Sequence, residues 1–119
     1  MIWLVAGAFS VVVPTPTANA FDGQQLAIRD VVVVTIDFRG GVFGYLCTDR
    51  PDADANAGQW DQTMALNWTQ QYITQFGGNP NNIVMFGDSS GSICVSANIL
   101  SNISNVYISK AILQSGNNL

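Results

Sequence analysis

The sequence predicts an α/β fold, in which central parallel strands form a sheet and crossover helices cover its faces. The first observation is a continuous β-branched run, Val31–Ile36, which is typical of a strand buried on both faces of a parallel sheet. The second is the order of the chain after this run, where helix-like stretches separate strand-like ones. Strands joined in this way run parallel through right-handed crossovers.

The composition indicates the interior of a domain whose polar outer layers are missing. Charged residues make up 10% of the 119 residues and hydrophobic residues 48%, whereas a soluble domain has about 25% charged residues. A net charge of −4 with four cations argues against nucleic-acid binding. No apolar run approaches the roughly 18 residues of a membrane span. We expect Cys47 and Cys94 to be unpaired buried thiols, with one disulfide as the alternative.

The first twenty residues allow two interpretations. The apolar run Ile2–Val13 and the small residues Ala18–Ala20 resemble a secretory signal over residues 1–20. The alternative is a buried strand, Ile2–Ala6, that turns through Gly7 into a loop. The first residues carry no positive charge and two prolines follow the apolar run closely, which argues against the signal, and the family resemblance described below favours the strand.

An irregular connection is expected after Val31–Ile36, because residues 40–44 contain three glycines. The segment Pro51–Gly58 has the composition of a polar surface loop. These two segments separate the first long strand from the helix that follows.

From Trp60 the apolar residues recur every four positions, which predicts an amphipathic helix. Asp61 suits its first turn by charge, and Gly77-Gly78 followed by Pro80 ends it. We expect its aromatic stripe to pack against the sheet, with a cofactor-binding surface as the alternative. The stripe consists of Trp60, Met64, Trp68, Tyr72 and Phe76.

The next elements are a strand at Ile83–Phe86, a helix of small residues from Ser89 to about Leu100, and a buried strand at Ile108–Gln114. The junction of the first two reads Gly-Asp-Ser-Ser-Gly. A Gly-x-Ser-x-Gly turn between strand and helix exposes the serine oxygen and aims the next N–H at the group it attacks. Ser89 is therefore a candidate nucleophile and the N–H of Ser90 a candidate oxyanion donor. The alternative is a glycine-rich turn that only lets strand and helix pack closely.

The chain contains no histidine, although a serine hydroxyl needs a neighbouring base to become a good nucleophile. Lys110, the only lysine, precedes the last predicted strand. Active sites in such sheets form at the carboxyl ends of the strands, so we do not expect a Ser–Lys pair.

Seven blocks of sequence, in one order and register, resemble the type-B carboxylesterase and cholinesterase family. The resemblance implies a partial α/β-hydrolase fold. It also implies that residues 1–119 are a fragment of a single domain that carries the nucleophile elbow. The blocks are Val31–Arg39, Gly41–Leu46, Asn56–Gln62, Ala65–Trp68, Phe76–Pro80, Phe86–Gly91 and Ala111–Gly116.

The resemblance assigns the acyl-accepting nucleophile to Ser89 and an oxyanion-hole N–H to Ser90. The family's other oxyanion donors come from a His-Gly-Gly-Gly-Phe type loop, which corresponds here to Val5–Phe9. Gly7 and Ala8 are the donors implied in that loop, although a β-carbon in it penalises positive φ and narrows the approach of substrate.

Four further residues take supporting roles by resemblance. Asp88 stands where the family usually has Glu, and Ser115 matches a serine that hydrogen-bonds behind the triad acid. Arg39 and Asp61 match a pair that forms a salt bridge between a strand end and a helix start. The alternatives are solvated charges and a capping serine.

The function implied by the resemblance is hydrolysis of small-molecule carboxylic esters by the complete parent, through an acyl-enzyme and without metal or organic cofactor. The triad acid and histidine would lie beyond Leu119, so we expect this chain to be inactive alone. The alternatives are a non-catalytic, cholinesterase-like adhesion or binding module and a truncated remnant.

The resemblance favours secretion or the lumen of the endoplasmic reticulum. Asn67 and Asn102 are the first residues of N-glycosylation sequons, which are modified only if the chain enters the secretory pathway. We also expect the isolated chain to aggregate, because its sheet would expose two apolar edges.

Overall fold

Four short strands form one sheet in the part of the chain that the structure describes. The computed structural model describes residues 1–9, 22–50 and 55–118. All three neighbouring pairs in the sheet run parallel, so the predicted α/β fold with parallel strands is confirmed. The strands are β1 (Ile2–Leu4), β2 (Val34–Ile36), β3 (Val84–Asp88) and β4 (Lys110–Gln114). Their order across the sheet is β2-β1-β3-β4.

Helices connect these strands, as the order of the chain predicts. Two short 3₁₀ turns follow the two longest helices, at Ile73–Phe76 and Asn105–Tyr107. The α-helices among the described residues are α1 (Gln24–Ala27), α2 (Gly41–Tyr45), α3 (Ala57–Tyr72) and α4 (Ser90–Leu100).

The hydrophobic core lies between one face of the sheet and helices α3 and α4. Alternate residues of a strand point to the same face, and Leu4 and Met85 are fully buried on this face. Leu66 of α3 and Val95 of α4, both fully buried, pack in the same cluster. The core therefore fixes α4 against the strands that end beside it.

The two outer strands are less buried than the sequence indicated. Val31–Ile36 was expected to be a strand buried on both faces, but only Val34–Ile36 forms a strand, and Thr35 is exposed. All five residues of β4, which was expected to be buried, are exposed. The physical reason is position, because β2 and β4 are the outermost strands of the described sheet and each has one neighbour.

Helix α3 begins earlier than predicted, at Ala57. Asp61 therefore lies beyond the first turn of the helix, and its carboxylate binds Arg39 instead. The predicted end is correct: after the 3₁₀ turn, Gly77 adopts a φ of 81° and the chain turns away.

The prediction that the aromatic stripe of α3 packs against the sheet is wrong. Its side chains are exposed, from 41% for Tyr72 to 70% for Met64. The face that packs carries smaller and polar residues, because α3 approaches its neighbours closely. A β-carbon on Gly58 would lie 2.3 Å from the carbonyl oxygen of Arg39. The buried residues of α3 are Gly58, Gln62, Leu66 and Thr69.

The first residues form β1, which lies between β2 and β3. Residues 10–21 lie outside the described residues, and with them most of the alternative secretory signal over residues 1–20. Residues 51–54 of the predicted loop Pro51–Gly58 also lie outside them.

Both cysteines are free thiols, as expected, but only Cys94 is buried and Cys47 is exposed. Among the helices of the described residues, none combines the length and the apolar character that a membrane crossing requires.

Candidate active site

Ser89 occupies a one-residue junction between β3 and α4. Its backbone has φ 53° and ψ −123°, a conformation that is rare for a residue with a side chain. The turn is tight because the start of α4 touches the end of β1: a β-carbon on Gly91 would lie 2.6 Å from the carbonyl oxygen of Leu4. Glycine is therefore required two residues after the serine.

The turn exposes Ser89 and buries the residue after it. Ser89 is exposed at the end of the sheet, whereas Ser90 is 3% exposed. Ser90 is the first residue of α4, where backbone N–H groups find no acceptor within the helix and the helix dipole is positive. An oxygen that becomes negative beside Ser89 would be stabilised at this position.

The loop Val5–Phe9 leaves the sheet at the same end as Ser89. Leu4, the last residue of β1, is paired in register with Gly87 of β3, two residues before Ser89. Ala8 adopts a φ of 49°, so the backbone there holds a positive φ in spite of its β-carbon. The structure therefore brings Gly7 and Ala8 to the same end of the sheet as Ser89.

The loop is attached to the helix that follows β2. The carbonyl oxygen of Phe9 accepts a hydrogen bond of 2.6 Å from the N–H of Gly41. The ring of Phe9 also meets that of Tyr45 edge to face, with centroids 5.6 Å apart.

Asp88 and Ser115 flank the serine turn on neighbouring strands. Asp88 is paired in register with Gln114, so Ser115 follows β4 where Ser89 follows β3. The N–H of Ser89 donates a 2.9 Å hydrogen bond to the carbonyl oxygen of Gln114. Asp88 is exposed and lines a cleft of about 350 Å³ together with Trp3 and other residues.

Lys110 lies at the opposite end of the sheet. It is the first residue of β4 and is paired with Val84, the first residue of β3. Five residues of strand separate that end from Ser89, about 16 Å at the usual rise. The lysine is therefore out of reach of the Ser89 hydroxyl. Among the described residues there is no cluster of three side chains that could hold a metal ion.

Arg39 and Asp61 form a two-pronged ion pair beside the site. Nε of Arg39 donates to Oδ2 of Asp61 at 2.8 Å, and a terminal nitrogen donates to Oδ1 at 2.7 Å. The backbone N–H of Arg39 also donates to Oδ2 at 3.0 Å. Chiefly because of the hydrogen bond from Arg39, the pKa of Asp61 is lowered from its usual value of 3.8. The pair joins the chain after β2 to helix α3.

A buried polar network, which sequence reasoning missed, lies between α2, α3 and α4. Gln62 and Asn98 are fully buried, and Nδ2 of Asn98 donates to Oε1 of Gln62 at 2.7 Å. Nε2 of Gln62 donates to the Tyr45 hydroxyl at 3.3 Å, and that hydroxyl lies 3.6 Å from Sγ of Cys94. Burial, and next the hydrogen bond with Cys94, raise the pKa of Tyr45 above its usual range.

The only sequence signal for this network is its spacing. Cys94 and Asn98 are four residues apart, so they lie on one face of α4. The hydroxyl of Ser90 is buried and has no hydrogen-bond partner within the described part of the chain.

Comparison with known proteins gives one consistent family. The family model described as the carboxylesterase family matches residues 1–119. Carboxylesterase 5A of Mus musculus is 44% identical over 117 residues, which is 98% of this chain and 20% of the relative. The pyrethroid hydrolase Ces2e of Rattus norvegicus is 42% identical, over 98% of this chain and 20% of its own length.

Acetylcholinesterase 4 of Caenorhabditis briggsae is 41% identical over 98% of the chain and 19% of its own length. The chain thus spans about a fifth of the length of the curated relatives that it matches.

Proposed function

The chain belongs to the carboxylesterase family, and from that premise we propose that it supplies the nucleophile of a serine ester hydrolase, Ser89. One observation carries the proposal. Ser89 adopts a positive φ, although it is not a glycine, at the junction between a strand and a helix. Ser89 is exposed there, and the first residue of α4 follows it directly. Strain of this kind costs about 1–3 kcal/mol and persists at functional sites.

In the proposed reaction, Oγ of Ser89 attacks the carbonyl carbon of a carboxylic ester. The hydroxyl proton passes to a base, and the carbonyl oxygen becomes negative. The N–H groups of Ser90, Gly7 and Ala8 stabilise that oxygen. Collapse of the intermediate expels the alcohol, which takes the proton from the base. Water then hydrolyses the acyl-serine by the same steps and releases the acid.

The base is the part that these 119 residues do not contain. There is no histidine in the sequence, and Lys110 begins the strand at the far end of the sheet. In the α/β-hydrolase order, the acid and the histidine follow the serine. Without a base, turnover falls about a million-fold, so we propose that the isolated chain is inactive.

Asp88 and Ser115 are proposed as supporting residues, because both lie where the strands on either side of the turn end. We also propose that the Arg39–Asp61 ion pair stabilises the site, because it joins the chain after β2 to α3.

A non-catalytic binding module remains the second candidate, and one observation favours it. The loop Val5–Phe9 carries β-carbons at Ala6 and Ala8, and these narrow the path of a substrate to the oxyanion donors.

A chimera tests the two candidates directly. The matched 117-residue segment of mouse carboxylesterase 5A would be replaced by this chain, so that the rest of the relative surrounds Ser89. We expect the chimera to hydrolyse p-nitrophenyl esters and to be labelled by a fluorophosphonate, and we expect Ser89→Ala to abolish both. Ser101→Ala, at the far end of α4, is the matched control.

A folded chimera that is not labelled at Ser89 would refute the proposed esterase and favour the binding module. The isolated chain gives the complementary test. If it hydrolysed p-nitrophenyl acetate rapidly, and Ser89→Ala abolished that turnover, the proposal that it lacks a working base would be wrong.

A further inference from the structure

The segment that follows β4, Ser115–Asn118, lies along the start of α4 and is here called the clasp. The clasp directly follows Gln114, the last residue of β4, whose carbonyl oxygen accepts a 2.9 Å hydrogen bond from the Ser89 N–H. The hydroxyl of Ser92 donates to the carbonyl oxygen of Gly116 at 2.5 Å. The clasp is therefore tied to the helix three residues after the nucleophile.

Asn118 makes two further bonds to the next turn of the helix. Its Nδ2 donates to the carbonyl oxygen of Ile93 at 2.9 Å, and its backbone N–H donates to Oγ of Ser96 at 3.2 Å. Ser92 is fully buried and Ser96 is 5% exposed, so both hydroxyls act away from bulk water. In such surroundings a missing partner is costly.

These bonds lie next to two strained backbone positions. Ser89 has a φ of 53° and Ser115 a φ of 59°, and each directly follows the last residue of its strand. Strained residues keep their conformation only where the surrounding structure over-determines it. The clasp supplies that determination from one side, since it is hydrogen-bonded to α4 and directly continues β4, whose last carbonyl oxygen accepts the Ser89 N–H.

We propose that Ser92 and Asn118 are positioning residues of the nucleophile turn. They hold the clasp against α4, and the clasp keeps the end of β4 in place to accept the Ser89 N–H. The Ser89 hydroxyl and the Ser90 N–H then keep one relative orientation. The consequence for turnover rests on the proposed esterase function, whereas the consequence for the backbone does not.

Amide hydrogen exchange on the 119-residue chain tests the backbone consequence. The quantity measured is the exchange rate of the Ser89 N–H relative to that of Met85, which lies in the centre of the sheet. We expect Ser92→Ala and Asn118→Ala each to raise this ratio about tenfold or more, because the local bond opens more often. Ser101→Ala should leave the ratio unchanged, and Ser92→Thr, which keeps the hydroxyl, should restore it.

Because a globally destabilised variant accelerates both amides together, the ratio separates a local effect from loss of the fold. Ratios within twofold of the unmodified chain in both alanine variants would overturn the proposal. The exchange is measured on the soluble fraction of the 119-residue chain.

The chimera with mouse carboxylesterase 5A tests the catalytic consequence. We expect Ser92→Ala to lower kcat about tenfold or more with KM nearly unchanged, because a misplaced nucleophile slows the chemical step and not binding. An unchanged kcat in a variant with fast Ser89 exchange would also overturn the positioning role. An unmodified chimera without activity would refute the proposed function, while the exchange ratio would still decide whether the clasp holds the turn.

Discussion

Asn98 and Gln62 form a 2.7 Å hydrogen bond between two fully buried side chains, one on α4 and one on α3. Asn98 also donates to the carbonyl oxygen of Cys94 at 2.9 Å, and its backbone carbonyl oxygen accepts from the Ser104 hydroxyl at 3.0 Å. Its side-chain Oδ1 is buried without a hydrogen-bond partner among the described residues. Polar groups inside a core stabilise a unique packing only when their partners are in place. The pair thus fixes how α4, and with it the turn at Ser89, packs against α3.

We expect Asn98→Ala to lower the free energy of unfolding by roughly 2–3 kcal/mol, because Oε1 of Gln62 is then buried without a donor. Gln62→Ala should cost a similar amount, and the double variant should cost less than the sum. Urea unfolding measures all three. Asn67→Ala, on the same helix as Gln62 but partly exposed, is the control. Strictly additive costs would contradict a direct coupling.

The raised pKa of Tyr45 predicts that the folded chain loses stability at alkaline pH. Its pKa is raised above the usual 10.0, chiefly by burial. Above pH 10 the unfolded chain releases the phenolic proton while the folded chain retains it, so stability falls as the pH rises. Tyr45→Phe should therefore be less stable than the unmodified chain at pH 7, because Nε2 of Gln62 loses its acceptor. The variant should lose less stability than the unmodified chain between pH 10 and 11. Tyr72→Phe, on the exposed stripe, should follow the unmodified chain in a melting series.

The lowered pKa of Asp61 predicts that the folded chain loses stability at acidic pH. Its folded pKa lies below 3.8, so the pair contributes stability above that pH and loses it as the pH falls through the folded pKa. Asp61→Asn should lower the melting temperature at pH 7 by on the order of 3 °C, because the pair is partly exposed. It should also flatten the dependence of melting temperature on pH below 4. Asp37→Asn, at the same strand end, is the control, and an equal effect there would exclude a specific role for the pair.

The strands and the serine turn could be predicted from the sequence because their signals are local. A β-branched run such as Val31–Ile36 reports that a segment is apolar and extended. It does not report which strand becomes its neighbour. Val34–Ile36 is an edge strand in the order β2-β1-β3-β4, and that order depends on contacts between segments far apart in the chain.

The buried face of α3 could not be predicted for a related reason. The four-residue spacing predicted that the aromatic stripe from Trp60 onward would be the buried face. The face that packs instead begins at Gly58, beside the carbonyl oxygen of Arg39. Close approach of backbones excludes large side chains, and the polar partner of Gln62 lies on another helix. Neither fact is visible along α3 alone.

The exposed stripe of α3 predicts self-association of the isolated chain. Met64 is 70% exposed and Trp68 48%, and the Trp68 ring lies tilted beside those of Tyr72 and Phe76, with centroids 5.4 and 6.2 Å away. Together these side chains form an exposed apolar patch. We expect the double substitution Met64→Gln and Trp68→Gln to shift the chain toward smaller species in size-exclusion chromatography, with unchanged far-ultraviolet circular dichroism. Leu66→Gln is the matched control, because Leu66 is fully buried on the opposite face and its loss should unfold the chain. Unaltered elution of the double variant would assign self-association to the sheet edges.

Of the two sequons, we propose Asn102 as the glycan acceptor. Asn102 is exposed in the turn after α4, whereas Asn67 lies within α3 and its Oδ1 accepts a 2.9 Å hydrogen bond from Gln71. Fused to a secretory signal and expressed in eukaryotic cells, the chain should carry a glycan that N-glycosidase removes. Asn102→Gln should eliminate the mobility shift and Asn67→Gln should leave it. Ser104→Thr should keep the glycan, because threonine also completes a sequon and retains a hydroxyl for the carbonyl oxygen of Asn98. A shift that survives Asn102→Gln and disappears in Asn67→Gln would show that the acceptor is modified before α3 folds.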